Sequence, residues 1–173
     1  MPGPEEVVAY RILSFDGGGM RGLLSLLLLE RLLEFEPRLL ERTDLLAGTS
    51  SGGLIALCLA HGLEPARVRE LFERDAELIF ADSLFDDIAD LGKLLGAEYS
   101  SGGLMRVARR ELGETTLGEL RKHVIVPAFD LDTCDDPRYG GPASPRRRWK
   151  AKIFHNFSGS DCDGEEPAWK VAL

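Results

Sequence analysis

The 173-residue sequence predicts an α/β fold, a three-layer sandwich around a mainly parallel central sheet. Short apolar runs typical of strands alternate with segments of helical periodicity along the chain. Two glycine-rich turns, residues 16–22 and 48–52, each join a predicted strand to a predicted helix. Such turns lie at the carboxyl ends of parallel strands, where binding sites are found. We therefore expect a single domain over residues 1–173 with its functional site at this edge of the sheet.

Four strands are predicted, each a short apolar or β-branched run bounded by turn-forming residues. They cover residues 7–15, 43–48, 123–130 and 149–154. Pro127 lies in the third strand and cannot donate a backbone hydrogen bond. That strand is therefore expected at an edge of the sheet or with a bulge.

Six helices are predicted from apolar periodicity and from start and stop signals. They cover residues 20–35, 52–60, 65–80, 104–112, 116–122 and 167–173. The first helix over its first two turns, and the second helix, are apolar on nearly every side, which predicts that they are buried; Glu30, Arg31 and Glu34 make the rest of the first helix polar. Pro37 and Gly62 are expected to end them. Residues 81–103 and 135–148 are rich in loop-forming residues and are predicted to be connections.

Composition excludes several functional classes. The net charge of -8 argues against a nucleic-acid partner. No apolar run approaches the roughly 20 residues of a membrane-spanning helix, and the first residues lack a basic secretory signal. The three cysteines are too scattered for a disulfide framework or a zinc site, and Cys58 is expected to be a buried thiol. We expect a soluble, cytoplasmic protein without a metal ion or cofactor.

The second turn, Gly48-Thr49-Ser50-Ser51-Gly52, matches the pattern Gly-x-Ser-x-Gly. This pattern holds a nucleophilic serine on a sharp turn between a strand and a helix, where neighbouring side chains would collide. Ser50 has a glycine two residues before and two residues after, so the spacing selects it as the nucleophile. Ser51 is interpreted as a helix N-terminal residue that satisfies free backbone amides.

The first turn, Asp16-Gly17-Gly18-Gly19-Met20-Arg21-Gly22, can aim backbone N–H groups at a developing oxyanion. It also satisfies G-x-G-x-x-G, the dinucleotide-binding fingerprint. A dinucleotide site requires an acidic residue at the end of the second strand, whereas Glu41 and Asp44 precede or open that strand. Dinucleotide binding is therefore the weaker alternative.

Together the two motifs resemble those of the patatin-like phospholipases, and segments 113–117, 124–130, 153–156 and 169–172 resemble later parts of the same family. The resemblance implies an acyl hydrolase that cleaves phospholipids or related lipid esters through a Ser-Asp dyad, without a cofactor. It assigns the nucleophile to Ser50. The implied oxyanion turn is Gly17, Gly18 and Gly19, completed by Arg21 and Gly22. The implied nucleophile elbow is Gly48, Thr49, Ser51 and Gly52.

The sequence departs from the family at the dyad aspartate. In the family it lies in a later Asp-Gly-Gly or Asp-Gly-Ala turn, and no such turn occurs before Leu173. Asp163-Gly164 precedes the segment around Trp169 instead of following it, and is interpreted as a solvated turn. We therefore expect an incomplete domain whose aspartate lies beyond Leu173. The alternative is a catalytically silent scaffold that binds acyl lipid.

Two further hypotheses concern charged residues. Ser50, Asp130 or Asp132, and His155 have the chain order of a Ser-Asp-His triad, although order alone is weak support. The basic run at residues 146–148, together with Lys150 and Lys152, could contact anionic lipid head groups at a membrane surface, with a solvated loop as the plain alternative. Acidic residues clustered at 82–90 lack a calcium-loop pattern and are interpreted as a solvated face.

Overall fold

The computed structural model describes residues 9–80, 102–130 and 150–173. Four strands form one sheet in the order β1-β2-β3-β4. They are β1 Ile12–Phe15, β2 Leu45–Gly48, β3 His123–Asp130 and β4 Lys150–His155. The first three strands are parallel, and β4 runs antiparallel to β3. The prediction of an α/β fold with a mainly parallel sheet is confirmed.

The described helices follow the predicted order with differences at their ends. They are α1 Gly22–Phe35, α2 Leu39–Arg42, α3 Ser51–His61, α4 Pro65–Arg74, α5 at residues 76–80, α6 Gly102–Leu112 and α7 Ala168–Val171. A short 3-10 turn, Gly19–Arg21, leads into α1. α1 ends two residues before Pro37, and Gly62, with φ of 105°, ends α3 in the left-handed conformation. Both predicted stops are confirmed.

α3 is the central helix of the fold. It packs against β1, β2 and β3, and every residue from Ser51 to Ala60 is buried. Leu46 and Val124 lie side by side in the parallel register and belong to the same buried cluster. Cys58 is fully buried, and burial raises the pKa of its thiol to about 12. The thiol is therefore protonated at neutral pH. The predictions for this helix and this thiol are confirmed.

α1 differs from its prediction. It packs against α4 and α3, and buries Gly22, Leu26 and Leu29. Its opposite face stays exposed, including Leu28 and Phe35. The prediction of a helix buried on all sides is therefore wrong, because α1 has described neighbours on one side only.

The first strand is shorter than predicted because its partner is short. Ile12 pairs with Leu45, the first residue of β2. Just before this pair, the carboxylate of Asp44 accepts a hydrogen bond from the amide of Arg11 at 2.7 Å. This contact takes the place of a ladder bond and ends the parallel pairing.

Two predicted helices are shorter than expected. The helix predicted for 65–80 ends at Arg74, and Asp75, with φ of -106° and ψ of 18°, separates it from α5. The carboxylate of Asp75 binds the guanidinium groups of Arg74 and Arg110. The helix predicted for 116–122 is only a 3-10 turn, Leu117–Glu119. There the amides of Leu117 and Gly118 donate across the chain to the carbonyls of Glu166 and Gly164, both at 2.9 Å. The turn does not continue as a helix because Leu120 is extended and the amide of Arg121 donates to the carbonyl of Ala60 at 2.9 Å instead of to Leu117.

Pro127 occupies a position where β3 extends beyond β2. Ile125 is the last residue of β3 that pairs with β2, and Pro127 faces Ile153 of β4. The missing N–H therefore costs no bond to β2. β3 therefore has an edge without a β2 partner after Ile125, and the predicted edge position of Pro127 is confirmed for this second half of the strand.

Several sequence predictions lie outside the described residues. These are the start of the first strand at 7–8, most of the connection 81–103 with the acidic cluster, the connection 135–148 with the three arginines of the basic cluster, Cys134 and Asp132. Within the described ranges, no helix has the length and apolar content to cross a bilayer. No group of three His, Cys, Asp or Glu side chains in those ranges is placed to hold a metal ion.

Candidate active site

Ser50 lies between the end of β2 and the start of α3, and it is exposed. Its φ of 51° and ψ of -126° make it the one non-glycine residue with positive φ in the described part of the chain. A backbone conformation of this kind costs on the order of 1–3 kcal/mol, and such strain is concentrated at functional sites. The hydroxyl thus stands on a sharp strand-to-helix turn.

The two motif glycines allow this turn because backbone segments meet there. A β-carbon added at Gly48 would stand 2.2 Å from the carbonyl oxygen of Gly52. A β-carbon added at Gly52 would stand 2.2 Å from the carbonyl oxygen of Phe15. Backbone atoms cannot move aside as a side-chain tip can. The ends of β1 and β2 and the start of α3 therefore converge only if both positions lack a side chain.

Ser51 does not have the capping role predicted for it. Its side chain is buried, and its hydroxyl has no hydrogen-bond partner. Its Cβ lies 3.3 Å from the position of a β-carbon at Gly22, which places the side chain against the start of α1. The cap prediction is wrong because packing between α1 and α3 decides the direction of this side chain.

The glycine turn after β1 is shaped by positive φ angles, 152° at Gly18 and 56° at Gly19. The carbonyl oxygen of Gly18 accepts hydrogen bonds from the amide of Arg21 at 3.1 Å and from its Nε at 3.3 Å. Since the peptide unit is planar and trans, the N–H of Gly19 points away from that carbonyl and from Arg21. Arg21 therefore positions a donor of the turn.

The amides of this turn are available to a ligand. Among the described residues, none accepts a hydrogen bond from the N–H of Gly17, Gly18 or Gly19. Likewise, no described residue accepts from the amide of Ser51, the first residue of α3. Unpaired backbone donors at a turn and at a helix N-terminus favour negative charge.

The turn and the serine are in direct contact. A β-carbon added at Gly17 would stand 3.2 Å from Cβ of Ser50, 2.9 Å from the carbonyl oxygen of Thr49 and 3.0 Å from its Oγ1. At Gly22, an added β-carbon would stand 2.7 Å from the ring of Phe72. Glycine at these two positions lets the turn approach Ser50 and lets α1 begin against the core.

The residues weighed for dinucleotide binding lie elsewhere. Asp44 precedes β2, at the amino end of the strand, and its carboxylate is occupied by the amide of Arg11. Glu41 lies in α2, further from the carboxyl edge along the chain. Neither acid is therefore placed beside the glycine turn.

His155, considered above as the base of a Ser-Asp-His triad, has partners other than Ser50. Nδ1 of His155 accepts a hydrogen bond from the amide of Phe157 at 3.3 Å, and its Nε2 lies 3.7 Å from the carboxylate of Asp161. The hydroxyl of Ser50 has no hydrogen-bond partner among the described residues. The side chain of Asp130, the other triad member considered, lies outside the described part.

Asp163 is not the solvated turn residue that was predicted. Its carboxylate is largely buried, pairs with Lys152 and accepts a hydrogen bond from the amide of His155 at 3.1 Å. The prediction is corrected because these contacts fold the turn back onto the end of β4. Asp163 therefore has a structural role in that turn.

Sequence reasoning missed the contacts of Arg21 with Gly18 and of Phe72 with Gly22. The first has a recognisable signal, because a long donor three residues after a glycine carbonyl can fold back onto it. The second has none, because 50 residues separate the partners and only packing brings them together.

The fold and this geometry define the class as an α/β protein with a serine on a strand-turn-helix elbow, of the kind used by serine hydrolases. The sequence model of the family described as Patatin-like phospholipase matches residues 13–165. The chain belongs to this family, and the resemblance inferred from its motifs is confirmed. Patatin-like phospholipases are lipid acyl hydrolases, so the family-level function is hydrolysis of lipid esters.

Individual relatives agree with this assignment. CotR of Bacillus subtilis is 34% identical over 152 residues, which are 87% of this chain and 43% of the relative. A cGAMP-activated phospholipase of Pseudomonas aeruginosa is 34% identical over 128 residues, covering 73% of this chain and 38% of the relative. Patatin-17 of Solanum cardiophyllum is 30% identical over 132 residues, which are 70% of this chain and 33% of the relative. The chain thus spans less than half the length of these relatives.

Proposed function

We propose that this chain carries the nucleophile and the oxyanion donors of a serine acyl hydrolase that cleaves phospholipids or related lipid esters. One observation carries the proposal: the glycine turn with its free amides lies in contact with Ser50, the strained and exposed serine. Family membership supports lipid esters as the substrate class. The roles proposed for single residues are supported by the motif spacing and by this geometry.

In the proposed reaction, Oγ of Ser50 attacks the ester carbonyl carbon as a base takes its proton. The carbonyl oxygen becomes an oxyanion that the amides of Gly17, Gly18, Gly19 and Ser51 stabilise. Collapse of this intermediate breaks the ester bond, and the alcohol leaves with a proton. Water then attacks the acyl-serine and releases the fatty acid. No metal ion or cofactor enters these steps.

We propose an aspartate outside the given sequence as the base of a Ser-Asp dyad, and residues 1–173 as part of one patatin-like domain. The longer relatives are compatible with this assignment. Removing a general base typically lowers a rate by about 10²- to 10⁴-fold, so the 173 residues alone are expected to react slowly. The absence of a described partner on the Ser50 hydroxyl also favours a second candidate, a scaffold that binds acyl lipid without cleaving it.

Labelling with a fluorophosphonate probe tests the proposal, because the probe captures an activated serine. We expect labelling that is lost in Ser50→Ala and retained in Ser51→Ala, the neighbouring serine. Retained labelling in His155→Ala would exclude the triad, and loss there would favour it. A protein that includes the expected aspartate and remains unlabelled would favour the scaffold.

A further inference from the structure

The side chain of Thr49 lies beside the glycine turn. Thr49 follows β2 and directly precedes Ser50. A β-carbon added at Gly17 would stand 3.0 Å from Oγ1 of Thr49 and 3.2 Å from Cβ of Ser50. One point next to the glycine turn is therefore within contact distance of both side chains of the elbow. The hydroxyl of Thr49 thus shares the space in which the turn and Ser50 meet.

The hydroxyl of Thr49 is available to a ligand. The residue is exposed, and its Oγ1 makes no hydrogen bond with any residue in the described ranges. The hydroxyl of Thr43, by contrast, donates to the carbonyl of Leu39 at 2.8 Å. A threonine hydroxyl has one proton to donate. At Thr49 that proton is free for a group that enters the site.

The backbone around Thr49 restricts where this hydroxyl can lie. The carbonyl oxygen of Thr49 accepts a hydrogen bond from the amide of Gly52 at 2.9 Å, and it would stand 2.9 Å from a β-carbon at Gly17. Threonine is β-branched, and the two heavy atoms on its β-carbon limit the rotation of χ1. A donor that already has a defined position needs little rearrangement when charge develops next to it.

We propose that the Thr49 hydroxyl donates a hydrogen bond to the oxyanion that forms when Ser50 attacks an ester, alongside the amides of the glycine turn. This inference rests on the proposed function, since it adds a side-chain donor to the same site. The hydroxyl keeps its proton throughout the reaction. Its bond strengthens as negative charge develops on the ester oxygen, so it stabilises the transition state more than the bound ester.

Three substitutions separate the hydroxyl of Thr49 from the shape of its side chain. Thr49→Val keeps the branched shape and loses the hydroxyl, Thr49→Ser keeps the hydroxyl and loses the methyl group, and Thr49→Ala loses both. The probe is a fluorophosphonate, whose phosphonyl oxygen takes the place of the ester oxygen that becomes charged. Saturation kinetics of labelling give the limiting rate and the half-saturating probe concentration separately.

The hydroxyl should affect the limiting rate of labelling and not the binding of the probe. We expect Thr49→Val and Thr49→Ala to lower the limiting rate about tenfold or more, since loss of a main oxyanion donor costs about 10²- to 10³-fold. The half-saturating concentration should stay the same, because the bond acts in the transition state. Thr49→Ser should recover the rate of the unchanged protein to within about threefold.

Thr115→Val is the matched control. Thr115 lies after α6, is partly buried, and its hydroxyl makes no hydrogen bond within the part of the chain that the structure describes. Labelling should be unchanged in this variant. Urea denaturation shows whether each variant is folded, and if Thr49→Val is not, Thr49→Ala against Thr49→Ser makes the same comparison.

The outcomes distinguish this inference from the proposed function. Labelling that depends on Ser50 but is equally fast in all three Thr49 variants would overturn the donor and leave the hydrolase standing. A fast Thr49→Val with a slow Thr49→Ser would also overturn it, because the shape of the side chain would then be what matters. A protein that includes the expected aspartate and stays unlabelled would contradict the proposed function, and the donor with it.

Discussion

Gly17 lies against Ser50 with no room for a side chain between them. A β-carbon at Gly17 would stand 3.2 Å from Cβ of Ser50, and the carbonyl oxygen of Thr49 would be closer still, at 2.9 Å. Because that oxygen belongs to the backbone, the contact fixes the distance between the glycine turn and the serine elbow. This contact places the proposed nucleophile beside the turn amides that have no partner among the described residues.

Gly17→Ala should separate the turn from Ser50. The added methyl group meets the backbone of Thr49, so one of the two segments has to move by several tenths of an ångström. A displacement approaching 1 Å costs on the order of 10²-fold in rate. We expect the rate of fluorophosphonate labelling to fall by up to that factor, as followed by gel fluorescence.

Gly102→Ala is the matched control for this change. An added β-carbon at Gly102 meets no atom within 4 Å, and the residue begins α6 without a positive φ. Labelling should be unchanged in this variant. Equal rates for Gly17→Ala and the unchanged protein would contradict the proposed contact between turn and nucleophile.

Ser50→Gly and Ser50→Ala should differ in stability although both lose the hydroxyl. Glycine adopts the φ of 51° without strain, whereas alanine keeps the β-carbon that makes this conformation unfavourable. We expect the glycine variant to exceed the alanine variant by about 1 kcal/mol in free energy of unfolding. Urea denaturation measures the difference, and equal midpoints with equal slopes would argue against strain at the elbow.

Ser51→Ala should stabilise the protein and leave labelling intact. The hydroxyl of Ser51 is buried without a partner, at 5% exposure of the residue. Removing an unsatisfied buried polar group is expected to raise the free energy of unfolding by about 1 kcal/mol. Thermal denaturation provides the measurement, and a loss of stability would mean that the hydroxyl has a partner in solution.

Arg21→Met should slow acylation of Ser50. The variant keeps a long side chain and loses the Nε donor to the carbonyl of Gly18, so the Gly18–Gly19 peptide is held only by the backbone amide of Arg21 and is less firmly oriented. Loss of one well-placed oxyanion donor costs about 10²- to 10³-fold, and a misdirected donor should cost up to that factor. The second-order rate constant of fluorophosphonate labelling measures the effect.

Arg106→Met is the control for this substitution. Nε of Arg106 donates to the carbonyl of Gly102 at 3.1 Å, a similar local contact on α6. It should not alter labelling. A similar loss of rate in both variants would assign the effect of Arg21 to general destabilisation.

Asp75 should make stability depend on pH in the acid range. The hydrogen bond from Arg74, with a further one from Arg110, holds the pKa of this carboxyl below its ordinary value of 3.8, although burial opposes the shift. A folded pKa below the unfolded one stabilises the fold above about pH 3.8, and this contribution is lost as the pH falls through the folded pKa. Urea denaturation between pH 7 and pH 2.5 follows the loss.

Asp75→Asn tests the assignment directly. The residue is 6% exposed, and its replacement removes charge-assisted hydrogen bonds, so we expect a loss of about 1–3 kcal/mol at pH 7. The dependence on acid pH should become flatter than in the unchanged protein. Glu70→Gln, at an exposed position of α4, should change neither quantity appreciably.

The candidate site was predictable to the extent that it depends on local backbone geometry. The spacing of Gly48, Ser50 and Gly52 predicts an elbow because only small residues fit where a strand meets a helix, and a β-carbon added at either glycine would stand 2.2 Å from a backbone carbonyl oxygen. The helix stop at Gly62 is equally local. The side-chain direction of Ser51 was not predictable, because it depends on the start of α1, about thirty positions earlier.

The fold beyond the site follows the same division. By itself, the sequence determined the order of strands and helices, the parallel sheet and the family, since apolar periodicity and glycine spacing act over a few residues. Only the tertiary structure decided that α1 leaves one apolar face exposed, that Asp75 interrupts a helix and that Asp163 is bound to Lys152. Burial and ion pairing depend on residues that are distant in sequence, and a local sequence pattern does not predict which of these residues will be in contact.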